Sequence, residues 1–233
     1  MSETLPGHVT AIIVAAGRSE RMDGLDKVFA PLAGRPLLAW TLAAFRKCDD
    51  VDDMVIVARP RSVMKVEALA REWRFDKVRD VVSGGAARQD SVRAGLDAAR
   101  HAEIVVVHDA ARPLVTPELI SEGVALARET GAALCAVPAR DTLKEVDGHP
   151  PVVTATLDRS RIWLAQTPQA FRRELLIEAH ARASAPATDD AALVEALGHA
   201  VRVYRGDESN LKVTTPEDLI LAEALLRARL APG

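Results

Sequence analysis

Short, nearly pure apolar runs alternate along the chain with longer stretches in which apolar residues return every third or fourth position. His8–Ala15 (HVTAIIVA) is continuous rather than alternating, which predicts a first strand buried on both faces. Pro36–Lys47 places Leu38, Leu42 and Phe45 on one helical stripe, with Pro36 suited to the first turn. The pattern then predicts a strand over Asp53–Ala58, a helix over Ser62–Trp73 and a strand over Val78–Val82. A helix over Ala87–Arg100 follows, with Val92, Leu96 and Ala99 on one face, and then a strand over Glu103–Val107. Thr116-Pro117-Glu118 starts another helix with a capping threonine and a first-turn proline. Alternation of this kind predicts an α/β fold, a mostly parallel central sheet flanked by helices on both faces.

The rhythm breaks near Gly131. Ala132–Ala139 reads as a strand, but Asp141–Thr156 mixes charge, Gly, Pro and Val without a helical period and predicts a projecting hairpin or β-arm. Helices are expected over Arg172–Ala183 and Thr188–Leu197, with Thr188 as an N-cap, and strands over Val201–Tyr204 and Leu211–Thr214. The last helix opens with Thr215-Pro216-Glu217-Asp218, a cap, a first-turn proline and two acids at the positive helix end. No repeat or long linker divides the chain. It reads as one domain over residues 1–233, with an arm at about 139–160.

Composition narrows the field. Of 233 residues, 48% are hydrophobic and 27% charged, which fits a globular domain with a sizeable core and not a disordered chain. Thirty Lys+Arg against 33 Asp+Glu leave a charge of −3, poor for a general nucleic-acid binder, and 3% aromatics leave few stacking platforms. Cys48 and Cys135 are too few for a disulfide framework or a closed zinc site and are expected to pack; the histidines show no HxxxH or HxH spacing. The start, MSETLPGHVT, lacks the features of a signal peptide, and no apolar run approaches the roughly 18 residues of a membrane span. No membrane association is expected. The expected compartment is the reducing cytoplasm.

In an open α/β sheet, ligands gather beyond the carboxyl ends of the strands. The first strand runs into Ala15-Ala16-Gly17-Arg18-Ser19-Glu20-Arg21-Met22, with Lys27 close behind. Small residues let backbone amides approach a polyphosphate, and the cations can offset charge developing at phosphorus. The segment is neither a Walker loop nor GxGxxG. A second segment, Ser83-Gly84-Gly85-Ala86-Ala87-Arg88-Gln89-Asp90-Ser91, allows a tight turn with free amides at a helix start, and Ser91 could read a base edge. A third, His108-Asp109-Ala110-Ala111-Arg112-Pro113, offers an acid for a ribose hydroxyl or a metal and an arginine for a phosphate. A structural Asp–Arg pair is the alternative for the last two charges, and His108 reads as a packed, hydrogen-bonding residue.

Taken in order, AAGRSERM with Lys27, GGAARQDSV, VHDAARP, RDTLK, LDRSRIW, QTPQAF, TDDAALVE and SNLKVTTPEDL resemble the 2-C-methyl-D-erythritol 4-phosphate cytidylyltransferase family from about Thr10 to Leu226. The resemblance implies a Rossmann-like nucleotidyltransferase fold, a homodimer joined through the arm, and a Mg²⁺-dependent attack of the substrate's 4-phosphate on the α-phosphate of CTP. It implies that Arg21 and Lys27 are catalytic. It places Ala15, Ala16, Gly17, Gly85, Arg88, Ser91 and Asp109 around the nucleotide, Asp109 also beside the polyol or the metal. Arg112, Thr142, Arg159, Thr167, Thr188 and Lys212 are implied around the methylerythritol phosphate, Thr142 and Arg159 reaching the partner subunit's site. Most of the Mg²⁺ coordination would come from the CTP phosphates. Ser19, Asp26 and Ala86 stand where the family commonly has Gly, Pro and an acid, and the phosphate loop is one residue shorter than in many relatives.

A ribitol-5-phosphate cytidylyltransferase is the alternative within the same chemistry. A dinucleotide-dependent oxidoreductase would need GxGxxG and an acid ending the second strand, where this chain has Ala58-Arg59. A catalytically silent scaffold would not need Arg21, Lys27, Asp109, Arg112 and Lys212 together. The enzyme reading rests on the cations at 21, 27, 112 and 212 converging on one crevice.

Overall fold

The computed structural model describes residues 4–5, 7–17 and 27–231. Its elements are β1 (Val9–Val14), β2 (Pro31–Leu32), β3 (Arg35–Pro36), α1 (Leu37–Lys47), β4 (Asp53–Ala58), α2 (Val63–Glu72), β5 (Val78–Ser83), α3 (Arg88–Ala98), β6 (Ile104–Asp109) and α4 (Pro117–Thr130). There follow β7 (Ala132–Pro138), β8 (Lys144–Asp147), β9 (Val152–Thr156), β10 (Trp163–Arg172), α5 (Arg173–Arg182), α6 (Asp190–Ala196), β11 (Arg202–Arg205) and α7 (Pro216–Leu230).

Seven strands form the main sheet in the order β11-β7-β10-β6-β1-β4-β5. Every neighbouring pair is parallel except those of β10, which runs antiparallel between β6 and β7. β1 lies near the middle, and its residues alternate between two cores. Val9, Ala11 and Ile13 face Leu38, Leu42 and Phe45 of α1 with parts of α2 and α4, whereas Ile12 faces Val92 and Leu96 of α3 with parts of α5 and α6. All these side chains are essentially inaccessible, and full burial of each of the larger ones stabilises the fold by roughly 1.5–3 kcal/mol.

Helix ends follow the sequence signals. Thr116 Oγ1 accepts the Leu119 amide at the start of α4, and Gly131 closes that helix at φ +91°, where a side chain would be strained. At α7, Thr215 accepts the Asp218 amide while Asp218 accepts the amides of Thr214 and Thr215.

Three expectations need correction. The strand β10 is absent from the pattern reading because Pro168 lies within it, and proline argues against a strand interior. The register on β7 shifts between Ala165 and Gln169, which accommodates it. Leu211–Thr214 is not a strand; it is held by the Val213 amide donating to the Ala111 carbonyl at 2.8 Å. The cap of α6 is Asp189, not Thr188, its carboxylate accepting the Ala192 amide at 3.0 Å. The projecting arm is present as β8 and β9, an antiparallel pair forming a separate two-stranded sheet.

Candidate active site

β1, β6 and β4 are parallel neighbours, so the loops that leave their carboxyl ends emerge side by side. Two cavities open there. The first, about 270 Å³, is walled by Ala15, Ala16 and Gly17 after β1, by Lys27, by Gly85 through Arg88 with Ser91, and by Asp109 and Lys212. The second, about 220 Å³, is walled by Arg112, Gln166, Thr167, Gln169, Thr188 and Asp189. Arg88, Asp109 and Lys212 belong to both, so the two chambers share a charged partition.

Asp109 ends β6 and is nearly buried. Its Oδ2 lies 2.8 Å from Lys212 Nζ and 4.0 Å from Arg112 Nε, and its Oδ1 lies 3.8 Å from Arg88 Nε. Burial pushes the carboxyl up, but Lys212 and then Arg88 and Arg112 outweigh it and hold the group at about 2. Arg88 is anchored from behind by a 2.6 Å ion pair to Asp190, which is fully buried and also meets His180 Nε2 at 2.9 Å. Burial disfavours the Arg88 charge, but Asp190 and Asp109 more than restore it.

A hydrogen-bond chain fixes the floor. The Asp109 amide donates to Thr167 Oγ1 at 3.0 Å, Thr167 donates to His108 Nδ1 at 3.1 Å, and His108 Nε2–H donates to the Arg112 carbonyl at 3.2 Å. Only the neutral imidazole with its proton on Nε2 satisfies that sequence. Burial accordingly lowers His108 to about 3, in keeping with a structural role. Arg112 donates to the Asn210 carbonyl at 2.7 Å, and Asn210 Nδ2 donates to the Thr167 carbonyl at 2.9 Å. The Asp109–Arg112 pair is present, and at 4.0 Å it is the longest of the three approaches to this carboxylate.

Close packing explains the glycines before α3. A Cβ on Gly84 would fall 2.6 Å from the Ala16 Cβ and 2.7 Å from Ser91 Oγ, and one on Gly85 would fall 2.3 Å from the Asp90 Cβ. Glycine here lets the second segment lie against the first. Arg59, just past β4, donates through Nε at 3.1 Å and through its guanidinium NH₂ to the Gly17 carbonyl, holding the segment that leaves β1.

The fold thus brings Ala15, Ala16, Gly17, Lys27, Gly85, Arg88, Ser91, Asp109, Arg112, Thr167, Thr188 and Lys212 to the two chambers. Arg21, with Ser19 and Asp26, lies outside the described residues. Thr142 and Arg159 wall neither chamber; both are exposed near the arm, and Arg159 donates to the Arg140 carbonyl at 2.6 Å. Gln169, Asp190 and Asn210 lie in motif strings that the sequence marks, but pattern reading gave them and Arg59 no individual role, because their partners are distant in sequence. Asp190 carried one signal, an acid on the inward face of a short helix.

For a divalent cation, Asp109 and Asp189 are the acids walling the chambers among the described residues. Asp109 is ringed by cations, and Asp189 accepts from Gln169 Nε2 at 2.9 Å and from the Ala192 amide. No protein cage is formed by these groups; at most one carboxylate could join a Mg²⁺ carried by phosphates.

A family model described as 2-C-methyl-D-erythritol 4-phosphate cytidylyltransferase matches residues 9–228. A protein of that name from Dehalococcoides mccartyi (strain CBDB1) is 47% identical over 219 residues, covering 94% of this chain and 96% of its own length. The crystal structure of the protein of the same name from Thermus thermophilus superposes with a TM-score of 0.78 at 38% identity, over 94% of this chain and 99% of its own. That of 4-diphosphocytidyl-2C-methyl-D-erythritol synthase from Anaerococcus prevotii gives a TM-score of 0.83 at 29% identity, over 94% and 98%.

Proposed function

The chain belongs to the 2-C-methyl-D-erythritol 4-phosphate cytidylyltransferase family, and from that premise we propose how its two chambers divide the work. The enzyme is a nucleotidyltransferase of isoprenoid precursor biosynthesis that joins CTP to 2-C-methyl-D-erythritol 4-phosphate. An oxygen of the polyol's 4-phosphate attacks the α-phosphorus of CTP, the α–β phosphoanhydride bond breaks, and pyrophosphate leaves with the electron pair. The nucleophile is already anionic, so the protein's task is to place two polyanions in line and offset their charge.

The first chamber takes the nucleotide. Ala15, Ala16 and Gly17 meet its phosphates through backbone amides, and Gly85, Arg88 and Ser91 lie around the cytosine. Lys27 and Arg21 stabilise the five-coordinate phosphorus. The second chamber takes the methylerythritol phosphate, with Arg112, Thr167, Thr188 and Lys212 around it. Asp109, in the partition, aligns Lys212 and is placed to accept a hydroxyl from either substrate. The observation that carries this reading is that one carboxylate and two cations wall both chambers, so two ligands placed there would meet.

Mg²⁺, arriving on the triphosphate, would offset part of its charge. The active form is a homodimer in which Thr142 and Arg159 of one subunit complete the other's polyol chamber. Support comes from the arm and the adjoining start of β10, where Val146, Val152, Val153, Leu157, Trp163 and Leu164 are exposed apolar residues close in sequence. The working compartment is the cytoplasm. In support, both cysteines are buried thiols, Cys135 being pushed up to about 11 by burial, and no helix among the described residues is long and apolar enough to cross a membrane.

The test is to incubate the purified protein with CTP, Mg²⁺ and either methylerythritol phosphate or ribitol 5-phosphate and to identify the nucleotide product. The expected product is 4-diphosphocytidyl-2-C-methyl-D-erythritol with one pyrophosphate. Turnover with ribitol 5-phosphate alone would overturn the substrate assignment.

A further inference from the structure

His8, Asp53 and His101 are far apart in sequence but meet at the amino ends of the central strands. His8 precedes β1, Asp53 opens β4 and His101 stands just before β6, and β1 pairs in parallel with both other strands. This is the end of the sheet opposite the chambers, separated from them by the length of β1, about 20 Å.

Their nitrogen and oxygen atoms converge. His8 Nε2 lies 3.2 Å and His101 Nε2 2.9 Å from the same oxygen, Asp53 Oδ2, and all three ligand atoms fall within 4.8 Å of one another. Ligands about 2.0–2.1 Å from a tetrahedral zinc stand about 3.3 Å from each other, close to the two nitrogen–oxygen separations here. Surrounding groups hold the set in place. Thr10 Oγ1 donates to Asp53 Oδ1 at 2.7 Å, leaving Oδ2 toward the imidazoles. Asp52 Oδ2, fixed by the Val9 amide at 2.8 Å, lies 3.7 Å from His8 Nδ1, a carboxylate behind an imidazole as in many zinc sites. The three side chains are 7–19% exposed, sheltered but reachable.

We propose that His8, Asp53 and His101 bind a borderline divalent cation, Zn²⁺ foremost, with solvent in the fourth position. Two imidazoles and a carboxylate suit Zn²⁺ far better than Mg²⁺. Arg79 is the competitor already in place. One guanidinium nitrogen lies 2.9 and 2.7 Å from the two ring nitrogens of His101 and 3.4 Å from Asp53 Oδ2. Its side chain is 49% exposed, so it can swing into solvent when the cation enters. A bound ion would tie together the starts of three strands, which stabilises the folded state and leaves the chemistry to the opposite end.

The experiment titrates untagged, metal-free protein, without CTP, with Zn²⁺ by calorimetry and with Co²⁺ by visible absorption. One ion per chain is expected, with the d–d absorption of a low-coordinate Co²⁺ and a melting temperature raised by Zn²⁺. His8→Gln and His101→Gln should each weaken binding at least tenfold. Arg79→Ala should tighten it, and Asp109→Asn should leave it unchanged. If a histidine variant misfolds by circular dichroism, Arg79→Ala alone decides. No Zn²⁺ binding by either the wild type or Arg79→Ala would overturn the proposal and leave the cluster a hydrogen-bond network, as would full binding that survives both folded histidine variants.

Discussion

Lys212 Nζ lies 2.8 Å from Asp109 Oδ2, so a loop just before the last helix supplies the nearest positive charge, among the described residues, to the acid that ends β6. The loop is held there by the Val213–Ala111 hydrogen bond and by the Asp218 carboxylate on the Thr214 amide. Lys212 is partly exposed, and Arg88 and Arg112 remain near Asp109 without it. Lys212→Ala is therefore expected to fold and to raise KM for the polyol phosphate at least tenfold, with KM for CTP nearly unchanged. Steady-state kinetics with each substrate varied decide this, and an equal loss for CTP would move Lys212 to the nucleotide chamber.

Lys27→Ala and Arg21→Ala should lower kcat by about 10²–10³, the cost of removing one preorganised charge-stabilising group of roughly 2.7–4 kcal/mol. Circular dichroism should report an unchanged fold. Near-normal turnover by both variants would remove these cations from the transition state.

Asp109 titrates at about 2 in the folded protein against an ordinary 3.8. A carboxyl lowered on folding contributes stability above its unfolded value, and the contribution disappears as pH falls from about 4 to about 2. The difference corresponds to roughly 2 kcal/mol. In urea unfolding, the stability gap between wild type and Asp109→Asn should be constant above pH about 5 and close below pH about 4. A gap independent of pH would mean that the surrounding cations do not act on this carboxylate.

Arg88→Ala should destabilise the protein by about 3–5 kcal/mol, because it leaves the fully buried Asp190 without its 2.6 Å partner. Denaturant midpoints in the absence of substrates measure it. A loss of CTP binding with no loss of stability would show that Arg88 serves the nucleotide alone.

Val153→Asp, on the exposed face of the arm, should convert the proposed dimer to a monomer and lower activity through loss of the partner's Thr142 and Arg159. Light scattering gives the mass. A wild-type protein that is monomeric at assay concentration would exclude the shared site.

The alternation of apolar runs and amphipathic stripes settled the α/β class, the helix-covered sheet and the caps at Thr116 and Thr215, because these depend on neighbours within a few residues. The motif strings also marked most chamber residues, since the loops after parallel strands must open on the same edge of the sheet. Local pattern could not place β10, where Pro168 interrupts the strand signal and antiparallel pairing to β6 and β7 compensates. Nor could it join Arg88 to Asp190, Arg59 to Gly17, or His8 to Asp53 and His101. Those pairings depend on strand order and register, which emerge only when the whole sheet assembles, so the balance of charge around Asp109 belongs to the tertiary structure.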